Sequence, residues 1–193
     1  MHAKLEIVIF GKSRPRLEDF LVAELKAFYA AHDLEVEVNV SHYASILESL
    51  DETRQQHASG SFLNFLDHFN PNEPEALKLG IVEQDLFSDS HPGFRFIFGE
   101  ARVGGESCVI SVSRLDPQAY GLKFNGKLYK ERALKESLHE LGHVLGLDHC
   151  DDQLCVMHFS DSIYDTDLKR STLCTACDEK LTMNAKKRKN LHS

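Results

Sequence analysis

His139-Glu140-Leu141-Gly142-His143 sets two imidazoles four residues apart, with a carboxylate beside the first. Leu134, Leu138, Leu141 and Leu145 recur at spacings of four, three and four, the buried stripe of one helix. One helical turn, about 6 Å along the axis, separates the two histidines and puts them on one face. Both can therefore grip a single ion through ring nitrogens. Glu140 lies to one side of that face, better placed to hold a water than to ligate the ion. Gly146 follows the stripe, where a residue that tolerates positive φ ends a helix. Three residues later His149 can return beneath the metal. Three imidazoles leave one tetrahedral position for water, as a hydrolytic zinc requires. H-E-x-x-H alone arises by chance in helices; the longer H-E-x-x-H-x-x-G-x-x-H adds a breaker and a third ligand and is far more specific.

A second constellation follows at once. Cys150, Cys155, Cys174 and Cys177 form a C-x4-C and a C-x2-C pair with eighteen residues between them. That is close to the spacing of closed, four-thiolate structural zinc sites. A C-terminal piece of about forty residues is too small to bury a core unaided, so a metal staple has a purpose there. Five cysteines fit a fully paired disulfide framework poorly. A nucleic-acid ribbon would need basic surroundings, yet residues 150–178 are rich in Asp and carry only Lys169 and Arg170 as cations. Because Cys150 adjoins His149, the structural site would also lock the third catalytic ligand. Met157 is expected in the core, as an apolar floor under the histidines, and Cys108 as a small buried hydrophobe.

These residues need a scaffold, and the chain is long enough for one. Its 193 residues fit a single compact domain, or one with a small appendage. A net charge of −8 argues against a surface built for nucleic acid or anionic lipid. No segment is apolar and long enough to span a bilayer, and the first ten residues lack a signal-peptide cleavage site. The expected setting is cytoplasmic, with a monomer as the default. The run Lys186-Lys187-Arg188-Lys189 is expected to be part of a solvated basic tail, 186–193.

The pattern predicts strands at 5–10 (LEIVIF), 34–40 (LEVEVNV), 76–82 (ALKLGIV), 94–98 (FRFIF) and 107–115 (SCVISVSRL), the last two paired as a hairpin. A helix is expected over 15–31, between the first two strands, giving a right-handed crossover and parallel pairing. Residues 41–69 read as mostly helical, interrupted at Gly60, with His57 and His68 in solvated or capping roles. Gly11-Lys12-Ser13 follows a strand but lacks the upstream glycine of a phosphate loop, since position 6 is Glu6. The active-site helix begins near Lys127.

The runs HELGHVLGLDHC, CVMHFSDS and CTACDEKL, with RQQH, LGIVEQDLF, FIFGEAR, VISVSRLDP and ERALKE upstream, resemble the archaemetzincins, a branch of the metzincin clan of zinc peptidases. The resemblance covers most of the chain. It implies two zinc ions: a catalytic one on His139, His143 and His149 with Glu140 as general base, and a structural one on Cys150, Cys155, Cys174 and Cys177. It also implies that Met157 is the Met-turn methionine. Phe159 stands where some metzincins keep a tyrosine as a fifth ligand, and the interval from Met157 to Cys174 is one residue shorter than the family pattern.

The expected fold is α/β: a twisted, mostly parallel five-stranded sheet with one antiparallel edge strand, the active-site helix, and a small zinc-stapled C-terminal subdomain. Residues 1–185 form one metzincin-like catalytic domain, with an upper part (1–146) and a lower part (147–185). The expected reaction is hydrolysis of peptide bonds in a peptide or protein, which would lie along Phe94, Arg95, Phe96, Ile97, Phe98, Gly99, Glu100 and Ala101 as an added strand. Two alternatives are a non-catalytic, zinc-dependent binding module and a deformylase-like amide hydrolase, which would take Cys108 as its third ligand.

Overall fold

The computed structural model describes residues 2–191 except Ser13 and Asp33. The chain runs β1 (His2–Phe10), α1 (Leu17–Ala31), β2 (Glu35–Tyr43), β3 (Leu50–Asp51), β4 (Gln56–Ala58), α2 (Ser59–Asp67), β5 (Leu77–Val82) and β6 (Leu86–Phe87). It continues through β7 (Gly99–Ala101), β8 (Ser107–Ser111), α3 (Gly126–Val144), α4 (Ile163–Leu168) and α5 (Thr175–Leu191). The main sheet has the order β2-β1-β5-β8-β7. Its first four strands are mutually parallel and β7 pairs antiparallel with β8 at the edge. This is the expected α/β sheet with one antiparallel edge strand.

The central strands explain why it forms. Every residue of β5 and of β8 is buried, as in parallel strands covered on both faces. Alternate residues of β1 enter different cores. Leu5, Ile7 and Ile9 join Leu21 and Leu25 of α1 and Leu138 and Leu141 of α3. Val8 and Phe10 join Phe62, Leu63 and Leu66 of α2. The period-two pattern of the strand thus builds a three-layer sandwich that fixes α3 against the sheet.

Four expectations change. Residues 41–69 are only partly helical: β2 runs on to Tyr43, β3 and β4 follow, and α2 starts at Ser59. Gly60 sits in the first turn of that helix, where a Cβ would lie 2.5 Å from Asp89 Oδ2; it permits a close approach and interrupts nothing. His57 is buried with Nδ1 2.7 Å from Ser49 Oγ, whereas His68 caps the end of α2. The antiparallel edge strand is Gly99–Ala101, not 94–98, and β8 stops at Ser111. Finally, α5 carries Lys186, Lys187 and Arg188 as helix, with Arg188 donating to Gly105 O at 3.1 Å, in place of a frayed tail.

Candidate active site

Asn125 opens α3 by accepting from the Lys127 and Leu128 amides, both at 3.1 Å, a helix N-cap. The other end closes at Gly146, φ 79°, with Gly146 N–H donating to His143 O and Leu147 N–H to Gly142 O, each at 2.9 Å. That left-handed turn, foreseen at Gly146, brings the chain back so that His149 faces the two helical histidines. The His139 ring centre lies 4.6 Å from that of His143 and 5.3 Å from that of His149, and the His143 and His149 centres are 4.8 Å apart.

The tautomers are set by backbone carbonyls. His139 Nδ1 is 2.8 Å from Val156 O, and His143 Nδ1 is 2.8 Å from Leu147 O. Each Nδ1–H therefore donates outward, leaving Nε2 as a lone pair. The two Nε2 atoms lie 3.1 Å apart. One ligand atom from each of the three histidines falls within 4.8 Å of the others, so this trio could hold a metal ion. Burial is the largest cause lowering the pKa of all three imidazoles, and Lys169 lowers each further. They stay neutral near pH 7, the form that ligates. Cys108 lies fully buried in the main core and outside this trio.

Glu140 is 5% exposed. Burial, then Glu136, raises its pKa well above the ordinary value; a divalent cation on the histidines would act the other way. A Cβ on Gly99 would come 2.6 Å from Glu140 Oε1, so glycine lets β7 approach the carboxylate. Gly142 has a matching reason: a Cβ there would lie 2.3 Å from Met157 Sδ. The fully buried Met157 packs against the histidine helix at this point.

Histidines and Glu140 open into a cavity of about 390 Å³, walled by Phe94, Phe96, Ile97, Phe98, Gly99, Glu100 and Ala101. Arg95 is not in the wall; its carbonyl accepts from Arg54 and Gln56, each at 3.1 Å. The residues at 94–98 are thus held by side chains, by aromatic packing, including Phe94 against Phe159 at 5.9 Å between ring centres, and by one antiparallel bridge, Ile97 N–H donating to Leu86 O at 3.0 Å; the regular strand is 99–101. Among the described residues no helix is long and apolar enough to cross a membrane.

The four sulfurs of Cys150, Cys155, Cys174 and Cys177 also lie within 4.8 Å of one another and could hold a second ion. All are free thiols, Cys150 and Cys174 being 3.7 Å apart. The Cys177 amide beside Cys174 is the largest cause lowering that thiol's pKa, which favours the thiolate. Cys150 N–H donates to Met157 O at 3.0 Å, tying this cluster to the methionine behind the histidines.

Sequence reasoning missed Glu136. It lines the cavity one turn before Glu140, accepts from Thr166 Oγ1 at 3.0 Å and pairs with the fully buried Lys169 at 3.1 Å. The Lys169 ammonium has no hydrogen bond of good geometry there, so the pair is electrostatic. The position of Glu136 was legible from helical spacing; its partner, on a remote segment, was not.

Comparison with known proteins agrees with this geometry. The model of peptidase family M54 matches residues 4–183. Archaemetzincin of Pyrococcus horikoshii is 43% identical over 175 residues, covering 90% of this chain and 91% of that protein. That of Pyrococcus abyssi is 40% identical over 185 residues, covering 95% and 97%. The crystal structure of archaemetzincin from Methanopyrus kandleri superposes with a TM-score of 0.84 at 34% identity, over 96% of each chain. That from Archaeoglobus fulgidus, complexed with malonate, gives 0.75 at 32% identity over 92% and 99%. With the sheet, the histidine trio and the cysteine cluster in place, the chain belongs to peptidase family M54, the archaemetzincins, and is a zinc metallopeptidase.

Proposed function

We propose that the chain cleaves peptide bonds with one zinc on His139, His143 and His149 and Glu140 as general base, and that a second, structural zinc sits on Cys150, Cys155, Cys174 and Cys177. The observation that carries the reading is the convergence of two Nε2 atoms at 3.1 Å, both rings anchored through Nδ1, with His149 alongside. Neutral imidazoles in that number suit a catalytic zinc and leave a position for water. Bound there, zinc supplies Lewis acidity, lowering the pKa of water toward ~7 and polarising a carbonyl. Glu140 takes a proton from the attacking water and hands one to the departing amine. Gly99 admits the substrate backbone close to that carboxylate. As β7 is the last strand of the sheet, an extended peptide or protein segment can add along Gly99–Ala101 through backbone hydrogen bonds. Phe94, Phe96, Ile97 and Phe98 then act as an apolar wall.

The upper part, 1–146, carries α3 and the base, and the lower part, 147–185, carries His149 and the cysteines; together they form one catalytic domain. The test is Glu140→Gln, screened with the zinc-loaded parent on a diverse peptide library. Turnover should fall on the order of 10²–10⁴-fold with zinc content unchanged. Equal turnover by the two proteins would sink the assignment of the base. Absence of cleavage by both would favour the non-catalytic binding module.

A further inference from the structure

The walls of the catalytic cavity are one-sided in charge. Glu100, Glu136, Glu140 and Asp161 line it, and among the described residues no lysine or arginine does. Glu136 is matched by Lys169 at 3.1 Å, and Glu140 is the proposed base. Glu100 has no such cation. Its side chain is 14% exposed; Oε2 accepts from the buried Ser59 hydroxyl and Oε1 from the buried Ser88 hydroxyl at 3.1 Å. At ion-pair distance it meets only His91 among the described residues, with Nδ1 3.6 Å from Oε1. Ser88 gives its one hydrogen to Glu100 and accepts from the His91 amide at 2.9 Å. The 3.3 Å contact between Ser88 Oγ and His91 Nδ1 is therefore a donation from the ring. In the neutral ring Nε2 is then a lone pair, and it has no partner among the described residues. A buried carboxylate and an open acceptor thus stand side by side in the cavity wall.

Strand geometry decides which part of a peptide meets them. Phe98 O accepts from Ser111 N–H at 2.8 Å, and Arg102 N–H donates to Ser107 O at 2.9 Å. Glu100, midway between them, pairs with Val109 of β8. Peptide groups alternate in direction along a strand, so Gly99 and Ala101 turn theirs toward the open edge. A segment added there puts one residue directly across from Glu100, and residues across from one another share a face of the sheet. A Cβ on Gly99 would point at Glu140; Glu100 projects to the other face, where Ser59 of α2 meets it. The peptide residue across from Glu100 therefore carries its side chain to the carboxylate and to His91. Phe94, its ring centre 6.5 Å from that of His91, offers apolar surface beside them.

We infer that Glu100, with His91 beside it, selects a lysine or arginine side chain at the peptide position across from it. The inference deepens the peptidase reading and rests on it. The cationic head donates to Glu100 and to His91 Nε2 while the aliphatic stem lies along Phe94. An acidic side chain in the same place meets a like charge.

The test uses the zinc-loaded full chain and alanine tetrapeptides that carry a zinc-binding hydroxamate at the carboxyl end or, on a succinyl unit, at the amino end. The other end is blocked, so only side chains bring charge. Lysine, norleucine and glutamate replace each alanine in turn, and affinity is read by calorimetry. At one position lysine should bind at least about tenfold tighter than norleucine, as for a hydrogen bond between charged groups, with glutamate weaker still. Glu100→Gln should abolish that preference and leave the affinities for norleucine peptides and for acetohydroxamate near the parent values. His91→Ala, at the exposed rim, should reduce the preference in part. Equal binding of lysine and norleucine at every position in the parent would overturn the inference without recourse to a variant. So would a preference that Asp161→Asn removes and Glu100→Gln keeps, or tightening seen only when the terminal amine is unblocked. Failure of acetohydroxamate to bind the loaded parent would remove the catalytic zinc itself, and this inference with it.

Discussion

Two glycines in the catalytic neighbourhood exist for reasons of contact. Gly142→Ala would put a Cβ 2.3 Å from Met157 Sδ, where the Met157 side chain is fully buried. Better helix propensity would return about 1 kcal/mol, but overpacking costs about 1–3 kcal/mol. A lower thermal midpoint is expected; an unchanged or raised one would show that Met157 relaxes freely. Gly99→Ala would instead press on Glu140 Oε1 at 2.6 Å. Displacing a catalytic group by about 1 Å can cost on the order of 10²-fold, so turnover should drop while zinc content and melting stay near the parent. Lys169→Met addresses the buried pair and should destabilise by about 3–5 kcal/mol, since it strands Glu136. Adding Glu136→Gln should recover much of that loss in urea titrations. At this scale the H-E-x-x-H-x-x-G-x-x-H run was legible because its geometry is local. Lys169 was silent because its partner lies thirty-three residues earlier and on another helix.

The helices and central strands were legible for the same reason: α1 and α3 each carry one helical stripe, and β1 and β5 are short apolar runs. The run at 94–98 misled because aromatic residues serve a wall as well as a strand. Phe96 stacks under the Arg114 guanidinium at 4.1 Å and edge-on to Phe98 at 5.2 Å between ring centres. The carbonyls of Phe94 and Arg95 are taken by Arg54 at 3.2 and 3.1 Å, and the run keeps a single antiparallel bridge, Ile97 to Leu86, in place of a ladder. In 41–69 apolar spacing suggested helix, yet the Gln56 side chain bonds Asp85 at 2.9 Å and the Arg95 carbonyl at 3.1 Å, long-range contacts that hold the segment open. The short helix α4 offers a pH test. Asp165 Oδ2 accepts from Ser162 N at 2.9 Å and Ser162 Oγ at 2.7 Å, a capping box. The Ser162 hydroxyl is the largest cause holding the Asp165 pKa below 3.8. The folded value being the lower, its contribution is complete above 3.8 and fades as pH falls through the folded value. Asp165→Asn should therefore lower the thermal midpoint near neutrality, with the gap to the parent narrowing below pH 3.8. A constant gap down to strong acid would refute the linkage.

On the scale of the whole molecule, the sheet positions the histidine trio, and the cysteines gather in a second group that could hold a metal ion. The two ligand sets differ in kind. The histidine trio opens into the cavity of about 390 Å³, whereas the four thiols converge within 4.8 Å of one another. Chelators remove an ion fastest where a coordination position exchanges with solvent, and thiolates hold zinc tightly. A titration with chelator should therefore release the histidine-bound zinc first, with activity lost and circular dichroism nearly unchanged, because the sheet, α1 and α3 share one apolar core. Release of the second zinc should unfold the C-terminal part, since structural zinc is worth roughly 10–16 kcal/mol in small zinc-finger peptides. Cys174→Ser should accordingly cost more in thermal midpoint than His143→Ala. It should also weaken the catalytic site at a distance, because Cys150 adjoins His149 and its amide is bonded to Met157 O at 3.0 Å. Elemental analysis alongside circular dichroism decides the matter: two zinc ions per loaded chain leaving in that order are expected. One ion per chain, simultaneous release, or a disulfide within the cysteine quartet would remove the second zinc from the architecture.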